Sequence, residues 1–224
     1  MGIMSVTVIP LFSQRLREVT QEDHTAAESS TFISTLMGGE RSARDYTWLI
    51  SQYSYIYGAL ETEVRAQASD AAVTAIFDLS LERGTQIEAD LEVLLPAYGF
   101  NSRPAALPAT LDYVNAIHEA AKEQPRLVAH HYLRYLGDLS GGLAIGRLVS
   151  RHYEIGTEAL NMWNFEQISK PKIYKDEYRS KLDEYGTDQT RAEILLDEAK
   201  RGFQWNKAIF DDLDKASKGE MLSA

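Results

Sequence analysis

Cysteine is absent from all 224 residues, which excludes disulfides, thiolate metal sites and thiol nucleophiles. Any metal or acid–base chemistry falls to His, Asp and Glu. Long apolar runs are missing too: none reaches the roughly eighteen residues that a membrane-spanning helix needs. The N-terminal "MGIMSVTVIPLF" has neither the basic start nor the small-residue cleavage site of a secretory signal, so a cytoplasmic chain without a membrane anchor is expected. Basic charge is in deficit, with 23 Lys and Arg against 33 Asp and Glu and a net charge of −10. That balance offers no face suited to a phosphate backbone, so nucleic acid is excluded and small molecules or proteins are the expected partners. Histidine is scarce, and none of the five has a glutamate three residues before it, which sets aside a ferritin-like di-iron site. There is no alternating strand of useful length, no internal repeat and no low-complexity tract.

What remains is helical periodicity, and it predicts an all-α bundle of one domain, residues 1–224, with flexible tails at about 1–12 and 216–224. Leu16, Val19 and Ala27 mark a first helix, and the apolar pattern continues through Phe32, Ile33, Leu36 and Met37 until Gly38 and Gly39 break it. "SARD" from Ser42 has capping-box spacing and opens a long helix through Tyr46, Leu49, Tyr53, Tyr57 and Val64. A third helix is predicted over Ile76–Leu95, stopped near Pro96. After the loop "GFNSRPAALPAT" come a helix through Leu111, Val114 and Ile117, a glycine-bearing helix, and helices around Tyr174–Leu182 and Ile194–Leu213.

The glycine-bearing helix, "HHYLRYLGDLSGGLAIG" from His130, is apolar nearly all round and belongs near the middle of the bundle. Each glycine in a helix interior gives up about 0.5–1 kcal/mol relative to alanine, so Gly137, Gly141, Gly142 and Gly146 together imply that something approaches the backbone closely. Small-xxx-small spacing fits either a packed neighbour or a flat ligand lying on the helix. Asp138, an acid on this apolar helix, fits either an ion pair with Arg134 one turn earlier or a distal pocket reached through water. On the first helix Arg17, His24 and Glu28 fall within about 40° of one another. Glu28 is then either an ordinary i, i+4 partner of a surface histidine or a carboxylate orienting an imidazole whose other nitrogen binds metal.

"DHTAAE", "VAHHYLRYLGDLSGG" and "KIYKDEYRSKL" together resemble the heme oxygenases, especially those of bacteria, and the similarity spans nearly the whole chain. The resemblance implies a helical bundle with heme b sandwiched between a proximal N-terminal helix and a glycine-rich distal helix. It implies His24 as iron ligand with Glu28 beside it, Gly137, Gly141 and Gly142 against the macrocycle, and Asp138 holding water that delivers protons to dioxygen. Tyr57, Arg134, Phe203 and Asn206 match positions that shape or join that network. Arg17, Tyr132, Lys175 and Arg179 match the places that meet the propionates, although relatives more often have lysine at Arg17. The implied reaction is oxidative opening of heme to biliverdin, ferrous iron and carbon monoxide by a monomer, with electrons from a ferredoxin- or flavin-type reductase, serving iron acquisition or pigment supply. The competing expectation is a heme carrier that does not degrade its cargo; a related helical fold that hydrolyses thiamin needs the cysteine this chain lacks.

Overall fold

The computed structural model describes residues 10–219. Among these, eight α-helices follow in order: Phe12–Glu28 (α1), Thr31–Gly38 (α2), Ala43–Gln67 (α3), Gly84–Ala97 (α4), Pro108–Ala120 (α5), Gln124–Tyr153 (α6), Pro171–Tyr185 (α7) and Gln189–Ser217 (α8). There is no strand among the described residues. Of the tails, 1–9 and 220–224 lie outside the described residues. Inside them, α1 already includes buried Phe12 and α8 runs through buried Ala216.

The predicted capping box is present. The Asp45 N–H donates to Ser42 Oγ at 3.2 Å and the Ser42 N–H to Asp45 Oδ2 at 2.9 Å, satisfying two of the N–H groups that a helix start leaves unpaired. Two boundaries differ from the periodicity. The first apolar pattern is two helices, broken at Ser29 and Ser30, with Gly39 closing α2 in the left-handed conformation at φ 77°. The third helix begins at Gly84 rather than Ile76, because the buried Glu61 carboxylate on α3 takes the Arg83 N–H at 2.6 Å and the Gly84 N–H at 2.9 Å. A side chain at position 84 would meet Glu61 Oε2 at 2.6 Å, so only glycine lets that carboxylate reach the helix start. Pro96 stands inside the last turn of α4 instead of ahead of it.

α6 runs unbroken for 30 residues and packs on α2, α3, α5, α7 and α8, the central place its composition predicts. α1 packs on α7 and α8, and so does α6, but α1 and α6 are not closely packed on each other. α7 and α8 therefore bridge α1 and α6, and the region between α1 and α6, bounded by α8 and at one end by α7, is the candidate slot. The Arg15–Glu193 pair at 2.8 Å and the bond from the Ser13 N–H to Asp183 Oδ1 at 2.7 Å hold α1 to α8 and α7.

Candidate functional site

On the α1 side, His24 is half-buried, with the Phe203 ring of α8 set edge-on at 5.4 Å. Its Nδ1 is covered and makes no hydrogen bond, because Glu28 Oε2, 3.3 Å away, lies outside hydrogen-bonding geometry. Nε2 is left as the accessible nitrogen of the ring. Four other histidines are placed elsewhere. His130 is buried between Glu198 and Tyr113, His131 is buried against Tyr178 and held down to about 3 by that burial, His118 pairs with Glu63 on the surface, and His152 packs on Gly39.

The α6 glycines separate into two pairs with different jobs. A Cβ built at Gly137 would meet nothing within 4 Å, and one at Gly141 only the Ile145 Cδ1 of its own helix at 4.0 Å. At Gly142 and Gly146 the Cβ would meet Trp163, at 3.0 and 3.3 Å. The packed-neighbour explanation of small-xxx-small spacing thus applies to Gly142 and Gly146, whereas no protein atom accounts for Gly137 and Gly141. Gly142 is buried against the Trp163 indole, so packing by itself accounts for its lack of a side chain.

Behind Gly137, polar side chains from three helices join in one chain. The Asn206 Oδ1 of α8 accepts from Arg134 Nη1 at 2.9 Å, Arg134 Nε donates to the Tyr57 hydroxyl at 3.2 Å, and that hydroxyl donates to Asp138 Oδ2. Arg134 and Asp138 thus form no direct ion pair; Tyr57 stands between them. Asp138 as a residue is half-buried, yet its carboxyl lies among protein atoms. Burial pushes that carboxyl up, against the Arg134 charge, the Tyr57 bond and the Arg83 charge, which hold it down. The result is an acid more ready to hold a proton than a surface aspartate. Tyr53 and Arg83 were not legible as members of this group. Tyr53 carries the Arg134 guanidinium on its ring face at 4.5 Å, and Arg83, a buried cation, arrives from the start of α4.

The end of the slot is basic. Lys175 Nζ of α7 donates to Ser140 Oγ of α6 at 3.2 Å, so it ties the α7 end to the α6 wall next to Gly141. Arg179 and Arg17 both lie close enough to Tyr132 to oppose the rise that burial imposes on its hydroxyl. Arg179 also pairs with Asp176 at 2.9 Å, and Arg17 is exposed. The structure thus groups Tyr57, Arg134, Asp138 and Asn206 in one hydrogen-bonded chain, sets Phe203 on the His24 ring, and brings Arg17 and Arg179 towards Tyr132, with Gly137 and Gly141 open on α6. An orphaned buried Nδ1 and a cradle that two Cβ atoms would fill suit a flat ring with a metal at its centre and anionic groups at its edge.

Comparison with known proteins identifies the family and the fold. A sequence model of the family described as heme oxygenase matches residues 11–212. Among characterised relatives, a heme oxygenase of the red alga Porphyra purpurea is 31% identical, covering 93% of this chain and 89% of its own length. Heme oxygenase 1 of Gallus gallus is 33% identical, covering 91% and 70%. The crystal structure of heme oxygenase-1 from the cyanobacterium Synechocystis in complex with heme superimposes with a TM-score of 0.85 at 27% identity, covering 94% of this chain and 95% of that one. The heme oxygenase of Leptospira interrogans gives 0.83 at 31% identity, covering 90% and 98%.

Proposed function

The chain belongs to the heme oxygenase family, and on that premise we propose that the slot between α1 and α6 is where it opens heme to biliverdin, ferrous iron and carbon monoxide, using dioxygen and electrons from a reductase. Bound heme, both cofactor and substrate, supplies the iron that reduces dioxygen and the ring that is cut. His24 would hold the iron through Nε2, and Glu28, 3.3 Å from Nδ1, would orient the ring after a small side-chain rotation brought it into hydrogen-bonding geometry. As an imidazole rather than a thiolate, His24 would donate less electron density to the iron it holds.

With no side chain and open space at Gly137 and Gly141, the backbone of α6 would be able to approach the ring face and leave volume there for dioxygen. Asp138 keeps a proton within reach of that space through ordered water, and Tyr57 fixes its carboxyl by a bond that Arg134 polarises from behind. Asn206 and Tyr53 hold the guanidinium in place, and Phe203 packs on the His24 ring. Lys175, Arg179, Arg17 and the Tyr132 hydroxyl meet the propionates and so set the in-plane rotation of the substrate. Among the described residues no helix is long and apolar enough to cross a membrane. In our reading the enzyme works as a single-domain monomer in the cytoplasm, receives electrons from a ferredoxin- or flavin-type partner and serves iron acquisition or pigment supply.

The observation that carries this reading is the pair of α6 glycines that face open space beside the Asp138 chain, on a helix joined through α8 to the one that bears half-buried His24. A carrier has no use for a buried acid beside that space, whereas a ring-opening enzyme needs its proton. The test is to add hemin and a reductant such as ascorbate under oxygen and follow the visible spectrum. Replacement of the Soret band by biliverdin absorption is expected; a Soret band that persists through reductant and oxygen marks a carrier.

A further inference from the structure

The second glycine pair of α6 rests on a part of the molecule with no place in the reaction above. Trp163 ends a 3-10 turn, Asn161–Trp163, and is buried. Charges of opposite sign pin both ends of the segment that carries it. The fully buried Asp90 carboxylate of α4 accepts the Asn161 N–H at 2.7 Å, the Asn161 side-chain amide at 2.8 Å and the Met162 N–H at 2.9 Å. Arg83 donates from Nη1 to the Asn164 carbonyl at 2.8 Å and covers the Phe165 ring at 3.9 Å. The indole itself is fixed in rotation, since Nε1 donates to the Tyr46 hydroxyl at 2.8 Å. Its edge also meets Tyr53, the ring on which the Arg134 guanidinium lies.

We propose that Trp163 is a positioning residue for the distal face: held from behind by Asp90 and Arg83, it is the stop on which Gly142 and Gly146 rest, and it thereby sets how far Gly137 and Gly141 stand into the slot. Protein interiors pack densely and yield little, so a hard contact on one face of a helix moves the helix as a body. Gly141 and Gly142 are adjacent, and Gly137 is little more than one turn away. A shift of a few tenths of an ångström at the indole therefore reappears at the open pair. Tyr53 carries the same position to Arg134, so the stop locates the polar chain as well as the backbone. This assignment rests on the reading of the slot as the heme site.

The test is a double-mutant cycle on the full chain with Gly142→Ala and Trp163→Leu, read by hemin dissociation constant and by amide hydrogen exchange of the heme-free protein. The methyl of Gly142→Ala meets a clamped indole 3.0 Å away, so α6 moves into the slot and hemin binding weakens about tenfold. Trp163→Leu removes the obstacle, and the double variant recovers most of that loss. Losses that simply multiply, or an unchanged affinity in Gly142→Ala, overturn the proposal. Asp90→Asn leaves the interface volume alone and serves should Gly142→Ala not fold. Loosening the clamp is expected to speed exchange at residues 137–141 several-fold while α1 is unaffected, and equal exchange counts against the stop. Wild-type hemin binding with an iron–imidazole signature is the control. If that control fails, the heme-site reading falls; if it holds and coupling is absent, only the role of Trp163 falls.

Discussion

Replacing Gly137 and Gly141 together by alanine is expected to stabilise the heme-free protein and to weaken its ligand binding, two effects of opposite sign from one change. Neither new methyl meets protein other than Ile145 Cδ1 at 4.0 Å, so no overpacking opposes the helix-propensity gain of about 0.5–1 kcal/mol at each position. The sum, about 1–2 kcal/mol, corresponds in a chain of this size to a rise in melting temperature of about 2–8 °C. The same methyls occupy the volume next to the ring face, where inserting a carbon into a filled contact costs about 1–3 kcal/mol, or about 5- to 150-fold in hemin affinity. Calorimetric melting of the heme-free protein and a hemin titration read the two effects separately. Gly146→Ala, pressed on Trp163 at 3.3 Å, is the comparison and should melt lower than wild type. If the Gly137/Gly141 variant melts below wild type, the pair is packed rather than open; if it melts higher but binds hemin as wild type does, the ring does not lie on this face.

His24→Ala should still take up hemin through the apolar slot and its basic end but lose the iron–imidazole signature by resonance Raman spectroscopy and nearly all turnover; retention of that signature would point to another ligand. Asp138→Asn keeps an acceptor for Tyr57 without titrating, so partial turnover is expected. Because burial raises the Asp138 carboxyl from its ordinary 3.8, its proton stabilises the fold at low pH, and that contribution disappears as pH rises through the raised value. The stability of wild type relative to Asp138→Asn, followed by urea unfolding from a pH of about 4 to 8, should therefore fall with rising pH and then level off; a rise would reverse the sign of the shift. Lys175→Glu combined with Arg179→Glu should weaken hemin binding and change the mixture of biliverdin isomers, and an unchanged mixture would remove both from the propionate end.

Much of this site was legible because its marks are local. The capping box at Ser42, the i, i+4 relation of His24 to Glu28, and the cost of glycines inside a helix are properties of neighbouring residues, and they survive into the fold. The break at Ser29 and Ser30 and the late start of α4 were not legible. The first splits a continuous apolar pattern, and the second depends on Glu61 reaching from another helix to take two N–H groups. Tyr53 and Arg83 were missed for the same reason, since nothing near them in sequence announces Arg134 or Asp138.

The sequence by itself determined that this is a helical protein without thiol chemistry, that its central helix gives up stability at four glycines, and that one histidine on the first helix is set beside a carboxylate. Only the tertiary structure decided which glycines face open space and which face Trp163, because the two pairs have the same spacing and differ only in what lies opposite. It also decided that Asp138 reaches Arg134 through the Tyr57 hydroxyl rather than directly. Helical periodicity places side chains on a face, but the partner across that face comes from residues 77 and 81 positions away, and their distance is set by how whole helices pack.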